Sequence, residues 1–174
     1  MPGPDDGLGK KAEDKIKEWL DHPESGHSFD RFYDQMTGFY LTSRNICDFV
    51  YYKYPYQYYL ESKSTWSDRF DFSMISDTQY WGLLDKAEIL GCHGYIIILF
   101  ATHKRAFILD IRDIKYLREE KNQKSLNIKK LDKWPISYQE IPTIPSRKEI
   151  LNYTGDLSQL SEDLQNLRAR EKEE

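Results

Sequence analysis

One segment, residues 47–65, constrains the fold most, because its composition is that of β-strands and yet it carries charged side chains. It is rich in Tyr, Phe and Val, which are enriched in strands. Tyr54-Pro55 in its middle predicts a turn, so we expect a β-hairpin. Side chains alternate between the two faces of a strand, which places Glu61 and Lys63 on one face of the second arm.

The hairpin predicts that two carboxylates meet. With an even loop centred between Tyr54 and Pro55, Asp48 lies opposite Glu61, with β-carbons about 5 Å apart. A bound cation or a raised pKa on one acid would offset their repulsion and desolvation. Oxygen ligands favour magnesium or manganese over zinc. The alternative is a structural ion pair between Lys63 and one carboxylate, since such networks also perturb pKa values.

An Asp, a short turn and then Glu-x-Lys on the next strand is the pattern of the PD-(D/E)xK nuclease superfamily, and Asp48 and residues 61–63 match it. The surrounding segments narrow the resemblance to one family. Segments 9–13, 45–49, 58–65 and 75–80 follow in an order that resembles the RecU-type Holliday junction resolvases, especially the compact versions carried by phages. The resemblance covers about residues 9–112 and implies a restriction-endonuclease-like core.

This resemblance implies a set of site residues. Asp48, Glu61 and the backbone carbonyl of Ser62 would hold Mg²⁺ or Mn²⁺, and Glu13 would be a further ligand or a neighbour of the ligands. Lys63 would position the attacking water or stabilise developing charge. Without the resemblance, Glu13 is explained as a first-turn acid that interacts favourably with the helix dipole.

Gln79 has two interpretations. Ser76 and Gln79 fit a capping box, which predicts a helix that begins after Ser76 and ends near residue 90. The family resemblance instead places a glutamine beside the active site, where its amide would orient water or a phosphate. Both interpretations stay open at this point.

The length of 174 residues suits one domain, with 31% charged and 14% aromatic residues. We predict a flexible N-terminus (1–8), a nuclease core (9–112) and a C-terminal extension with a basic segment and a terminal helix (113–174). The fold class is α/β, with a mixed central sheet of four or five strands flanked by helices. The terminal helix would dock on its own domain or on a second subunit.

Periodicity and turn residues predict the other elements. Helices are expected at 10–21, 76–90, 113–125 and 156–170. Strands are expected at 94–101, which is apolar throughout as in strands covered on both faces, and at 105–111. Residues 21–45 are predicted to be a loop with one short strand near 39–42, 66–73 a loop, and 134–145 extended.

The charge distribution bears on nucleic-acid binding. A net charge of −4 argues mildly against it, yet residues 112–133 carry eight Lys or Arg against four acids. Lys129 and Lys130 in this segment are predicted to contact DNA. Arg31 and Arg44 would contact phosphate as fixed forks, unless they are ordinary solvated arginines.

The sequence therefore predicts metal-dependent hydrolysis of phosphodiester bonds, and the resemblance implies a homodimer that cuts branched DNA at a four-way junction. One alternative is another nuclease of the superfamily, acting on duplex, nicked or flap DNA. A second is a catalytically silent module that binds DNA or a protein. The two cysteines form no metal or disulfide framework and no signal peptide is evident, so a cytoplasmic location without a membrane span is expected.

Overall fold

The computed structural model describes residues 7–22, 26–33, 35–37, 40–43, 45–145 and 151–173, with the backbone alone for 35–37 and 40–43. The first six residues of the predicted flexible N-terminus, residue 39 of the predicted short strand and Arg44 lie outside this range. No helix in the described part of the chain is both long and apolar enough to span a membrane.

The described residues form four α-helices and twelve β-strands. The helices are α1 (Leu8–Leu20), α2 (Asp77–Ala87), α3 (Ile111–Glu119) and α4 (Leu157–Glu171). The strands are β1 (His27–Arg31), β2 (Gln35–Thr37), β3 (Tyr40–Ser43), β4 (Phe49–Lys53), β5 (Tyr56–Thr65), β6 (Arg69–Asp71), β7 (Cys92–Phe100), β8 (Arg105–Asp110), β9 (Ser125–Asn127), β10 (Gln139–Glu140), β11 (Thr143–Ile144) and β12 (Asn152–Tyr153).

Six of these strands form the central sheet, in the spatial order β1-β4-β5-β7-β8-β10. Only the β5–β7 pair is parallel among these described strands, and α2 lies in the crossover that this pairing requires. Three further pairs are β2–β3, β6–β9 and β11–β12. The predicted mixed sheet flanked by helices is confirmed, with two edge strands, β1 and β10, that were not predicted.

Helices cover the sheet on both faces. Strand β7 shows why its sequence is apolar throughout: Ile97 packs with α1 and α4 on one face, and Ile96 packs with α2 and α3 on the other. On the first face Ile16 of α1 and Leu164 of α4 are fully buried. Helix α4 therefore docks on its own domain, which decides between the two predicted locations.

A buried charge network ties α4 to the sheet. Asp110 ends β8 without any exposed surface, and it accepts hydrogen bonds from Arg112 and Gln165. Arg168 of α4 is 7% exposed and forms an ion pair with Asp113 at 2.9 Å. These charged and polar partners hold the pKa of the Asp110 carboxyl below its usual value despite its burial.

The β4–β5 hairpin has the predicted register. Phe49 pairs with Leu60 and Lys53 with Tyr56, so the hairpin is centred between Tyr54 and Pro55. Extended by one residue, this register places Asp48 opposite Glu61. Strand β4 begins at Phe49, so Asp48 lies just before its first residue.

A notch forms where β4 stops and β5 continues. Beyond Leu60, β5 runs to Thr65 with β7 on one side. On its other side, beyond the start of β4, β5 is bonded by the Asp48 carboxylate, whose Oδ2 accepts the backbone N–H of Ser62 at 2.9 Å. The backbone N–H of Asp48 in turn donates to the Leu60 carbonyl at 3.1 Å. The backbone of β5 therefore holds the Asp48 side chain, which the sequence predicted as a site residue.

Four predicted elements differ from the structure. Residues 21–45 contain β1 and the β2–β3 hairpin as well as loop, and the 66–73 loop contains β6. The predicted 113–125 helix starts two residues earlier and ends at Glu119. No apolar residue lies between Leu117 and Leu126, so a longer helix would have nothing to bury, and Asn122 takes a left-handed conformation. The predicted 76–90 helix ends at Ala87.

Candidate active site

The notch opens into a pocket of about 200 Å³ that is lined by five of the ten predicted site residues. Helix α1 supplies Glu13, strand β1 supplies Arg31, and the residue before β4 supplies Asp48. Glu61 comes from β5 and Gln79 from the first turn of α2. Four elements that are distant in sequence thus converge on one small polar space.

Glu61 is the most buried charged group of the pocket, with 2% exposure. Its Oε1 accepts a hydrogen bond from Gln79 Nε2 at 2.8 Å and lies 3.1 Å from Lys63 Nζ. Its Oε2 is buried and receives no hydrogen bond from a described N–H or hydroxyl donor, and a hydrogen bond between the Glu61 and Asp48 side chains needs a proton on one of the two carboxyl groups. One oxygen is therefore saturated, and the other is left for a proton or a cation.

The carboxyl groups of the pocket titrate abnormally. Burial, reinforced by the neighbouring Asp48 carboxylate, raises the pKa of Glu61 to about 8. Burial also raises the pKa of Asp48 above its usual value. Glu13 has a raised pKa because of burial and the Asp48 charge. Burial is the largest cause of all three pKa shifts, and the Asp48 charge adds to it for Glu61 and Glu13, so the pocket disfavours the ionised form of its acids.

Lys63 and Gln79 form a connected pair. Lys63 Nζ donates to Gln79 Oε1 at 3.0 Å, and the Gln79 amide nitrogen bonds Glu61. Gln79 Oε1 also accepts from the Ser76 backbone N–H at 3.1 Å, which completes the capping box of α2. The capping interpretation of Gln79 is confirmed, and the same side chain bridges two charged groups beside the pocket, while the role of its amide toward water or a phosphate stays a prediction.

Glu13 faces the pocket, but its carboxylate is engaged. Arg31 Nη2 lies 2.6 Å from Glu13 Oε2, and Arg31 Nη1 lies 3.4 Å from Asp14 Oδ1. The Arg31 guanidinium also lies over the rings of Tyr33 and Phe49. In this arrangement Arg31 neutralises the acids of α1, so the predictions of a phosphate contact for Arg31 and a ligand role for Glu13 stay predictions.

The donor set of the pocket fits a hard divalent cation. Among the described residues, no three His, Cys, Asp or Glu side chains lie close enough to form a metal site by themselves. The pocket offers two adjacent carboxyl groups, those of Asp48 and Glu61. Of these oxygens, Glu61 Oε2 receives no hydrogen bond from a described N–H or hydroxyl donor. Magnesium commonly binds one or two carboxylates and completes its shell with water and substrate phosphate, so this limited set suits it.

The other predicted DNA contacts lie away from the pocket. Lys129 is exposed and forms an ion pair with Asp68 at 3.0 Å. Lys130 lines a separate groove beside β6 and β9. Arg44 falls outside the described residues.

Two exposed aromatic residues at the mouth of the pocket were not predicted as site residues. Phe32 is 41% and Tyr33 66% exposed, and both line the pocket directly after Arg31. The sequence feature that could have indicated them is the occurrence of two consecutive aromatic residues in a predicted polar loop. Cys47 also lines the pocket, but burial raises the pKa of its thiol to about 12, so it stays protonated at neutral pH and does not act as a nucleophile.

Among curated proteins none matches this chain. A solved structure, that of Hjc, a Holliday junction resolvase of the archaeal hyperthermophile Archaeoglobus fulgidus, is similar over 68% of this chain and 88% of that chain, with 15% identity and a TM-score of 0.46. The model of the family RecU, Recombination protein U, matches residues 26–153 of the 174. The chain belongs to the RecU family, as its sequence motifs predicted.

Proposed function

We propose that this protein is a metal-dependent endonuclease that resolves four-way DNA junctions by hydrolysing phosphodiester bonds. One observation carries the proposal: Asp48, Glu61, Lys63 and Gln79 meet at the notch where β5 extends past β4. Membership of a family of recombination proteins supports DNA as the substrate. A purely structural ion pair between Lys63 and Glu61 does not account for the second buried carboxyl group, that of Asp48, beside a Glu61 oxygen that receives no hydrogen bond from a described N–H or hydroxyl donor.

The acidic groups of the notch would hold the metal. Asp48 and Glu61 supply carboxylates, the Ser62 carbonyl is the adjacent backbone oxygen, and Glu13 lies on the same pocket. When bound there, Mg²⁺ or Mn²⁺ would activate a water molecule and neutralise charge on the pentacoordinate phosphorus. Asp48 is already oriented for this role, because the Ser62 N–H fixes one of its oxygens.

Lys63 and Gln79 prepare the reacting groups. The Lys63 ammonium stands beside Glu61, where it stabilises negative charge that develops on a phosphate at the notch. Gln79 holds both side chains in place through its two amide atoms, and its own position is set by the start of α2. The polar constellation is therefore organised before substrate arrives.

Junction resolution needs two symmetric cuts, and a two-fold homodimer supplies two copies of the notch in a matching orientation. We therefore include the homodimer in the proposal. The helical and sheet layers hold each notch on rigid elements, which suits paired cleavage. The membership of the RecU family supports this reading over a general nuclease.

The test uses end-labelled four-way, flap, nicked and linear DNA of related sequence, incubated in magnesium. Wild-type protein should make paired cuts at the junction. Asp48→Asn and Lys63→Ala should reduce the cleavage rate by about 10²–10³, the usual loss when one charge-stabilising group is removed. Asp30→Asn and Lys115→Ala, which change exposed residues of the same types, are the matched controls and should cleave at the wild-type rate.

The outcomes separate the competing functions. Equal cutting of all four substrates would assign the protein to the broader nuclease class. Binding without cleavage, unaffected by magnesium, would identify a silent DNA-binding module. A sedimentation measurement of the mass in solution tests the homodimer independently of the chemistry.

A further inference from the structure

A second polar concavity lies outside the candidate active site, beside the β6–β9 pair. This basic groove has a volume of about 450 Å³. Its lining contains four cationic side chains, one aromatic residue and several neutral polar residues. The cations and the aromatic residue are Arg69, Lys124, Lys130, Lys133 and Trp134.

The positive charge of the basic groove is not neutralised from within. No acidic side chain lines it, and Arg69 donates to a neutral partner, Ser125 Oγ, at 3.0 Å. Lys130 and Lys133 are exposed and form no ion pair with any described residue. Asp68, directly before Arg69, is occupied by His103 and Lys129, and Asp132, directly before Lys133, does not line the groove and forms no ion pair with a described residue. The groove therefore presents four positive charges to solvent.

The groove has a rigid frame. Arg69 pairs with Asn127 across the two strands, and the Asp68 carbonyl accepts the backbone N–H of Ile128 at 2.9 Å. The Trp134 indole N–H donates to the Asn127 carbonyl at 2.9 Å, which closes the segment that carries Lys130. Side chains on such a frame lose less conformational entropy when they bind a polyanion than side chains on a flexible tail do.

The basic groove and the notch share one face of the sheet. Phe70 of β6 is packed in the same core cluster as Leu83 of α2 and Ile96 of β7, which is the face on which Gln79 bonds Glu61. Lys63 and Arg69 are six residues apart, so their α-carbons are at most about 20 Å apart. One turn of duplex DNA covers about 34 Å. The separation between the two places is therefore shorter than one turn of a duplex arm.

We propose that the basic groove binds the sugar-phosphate backbone of a DNA arm whose scissile strand lies at the notch. This inference rests on the proposed nuclease function and adds a second contact region to it. The backbone of a duplex carries regularly spaced phosphates, and four exposed cations can neutralise several of them. Each neutralised phosphate releases a bound counterion, which favours binding. Of the lysines first predicted to contact DNA, Lys130 belongs to this surface, whereas Lys129 is held by Asp68.

The experiment measures binding separately from cleavage. Fluorescein-labelled four-way junction and linear duplex are titrated with wild-type protein, with Lys130→Gln/Lys133→Gln and with Lys115→Gln/Lys172→Gln, in EDTA over a series of salt concentrations. The control pair changes two exposed lysines outside the groove, so both double variants have the same net charge. Loss of two phosphate contacts should weaken binding about tenfold and lower the slope of log K against log salt by about two.

Amine-reactive labelling read by mass spectrometry gives a second measurement on the unaltered protein. DNA should protect Lys130 and Lys133 but not Lys115. Thermal unfolding of each variant checks that the folded state is retained. Wild-type affinity and salt slope in the groove variant, together with unprotected Lys130 and Lys133 in the wild-type protein, would contradict the inference, while cleavage by wild-type protein would leave the proposed function standing.

Two further outcomes are informative. Wild-type protein that neither binds nor cuts any of the DNA substrates would remove the proposed function, and the inference with it. If poly-glutamate competed for the groove lysines and DNA did not protect them, the groove would belong to an acidic protein partner and the proposal would be wrong.

Discussion

At the scale of single residues, the candidate site is dominated by Glu61. Glu61 is 2% exposed, one of its carboxyl oxygens is saturated, and the other receives no hydrogen bond from a described N–H or hydroxyl donor and lies beside the Asp48 carboxyl. The sequence predicted that a bound cation or a raised pKa would resolve the conflict between the two acids. In the structure burial and Asp48 raise the pKa of Glu61 to about 8, so in metal-free solution at neutral pH the protonated form dominates.

This shift predicts a pH-dependent cost in stability. Between pH 4.5 and about 8 folded Glu61 keeps a proton that the unfolded chain has released, so the free energy of unfolding falls as pH rises. Glu61→Gln removes this dependence. In urea titrations in EDTA the variant should gain a few kcal/mol on wild type from pH 5 to pH 9, since one pKa unit is worth about 1.4 kcal/mol. If the free energy of unfolding depended on pH in the same way in both proteins, the raised pKa of Glu61 would be contradicted.

Gln79 allows its structural and chemical roles to be separated. Ser76→Ala removes the cap hydroxyl that accepts the Gln79 backbone N–H, and should cost about 1 kcal/mol of stability with cleavage close to wild type. Gln79→Ala loses the capping contact and also the bridge between Lys63 and Glu61, so its cleavage rate should fall by about a hundredfold. Urea unfolding and single-turnover cleavage of both variants check this. Equal cleavage by the two variants would leave Gln79 with a structural role alone.

At the scale of elements, the site depends on how closely the segment before β4 approaches α2. A β-carbon built on Gly82 would lie 2.2 Å from Ile46 Cγ2 and 2.6 Å from Ile46 Cβ. Glycine at this position of α2 therefore lets Ile46 pack against the helix. Because Ile46 is two residues before Asp48 and Gly82 is three residues after Gln79, this contact sets the spacing between two sides of the pocket.

Gly82→Ala should disturb this spacing. Alanine is the better helix former by about 1 kcal/mol, but overpacking against a β-branched side chain typically costs about 1–3 kcal/mol. We expect a net destabilisation together with cleavage reduced at least about tenfold, because about 1 Å of displacement is costly in a catalytic site. Gly9→Ala in α1 is the matched control, since its β-carbon would meet no atom within 4 Å. Full activity in Gly82→Ala would show that the contact does not position Asp48.

At the scale of the whole molecule, folding and metal binding should be linked. A ligand that binds only the folded protein stabilises it by RT ln(1 + [L]/Kd), which is about 2.7 kcal/mol at a hundredfold excess over Kd. Because the acids of the pocket are separated in sequence, an unfolded chain offers no comparable site. Asp48 and Glu61 flank the β4–β5 hairpin and Glu13 comes from α1, so a metal bound in the pocket would stabilise the folded hairpin and its contact with α1.

Millimolar manganese should raise the thermal midpoint of wild-type protein and of Asp30→Asn, and removal with EDTA should reverse the shift. Asp48→Asn, which lacks one proposed ligand, should show little or no shift. Calorimetric titration at constant pH measures the same binding directly. An equal shift in Asp48→Asn would mean that the metal binds elsewhere on the protein.

Local patterns allowed much of the site to be predicted. The two-residue alternation of β5 and the turn at Tyr54-Pro55 indicated the register that brings Asp48 and Glu61 together. The capping box predicted where α2 begins and, with it, the position of Gln79. The engagement of Glu13 by Arg31 was not predictable, because β1 is a short edge strand of mixed polarity whose partner is decided only in the folded sheet.

The roles of the C-terminal residues were harder to predict from the sequence. Residues 113–174 were predicted to be an extension, and this division stays a prediction. In the structure β9 pairs with β6, β10 joins the central sheet and α4 packs on it. Charge counts along the chain could not tell that Lys129 is neutralised by Asp68 while Lys130 faces an open groove, since Asp68 approaches only through the β6–β9 pairing.

The sequence by itself determined the β4–β5 hairpin, the start of α2 and the meeting of Asp48, Glu61 and Lys63, because strand period, turn and cap act over a few neighbouring residues. Only the tertiary structure decided that Arg31 holds Glu13, that α4 docks through Arg168, and that four cations surround one groove. These contacts join residues far apart in sequence, and their free energy depends on burial and on partners that exist only after the layers have packed.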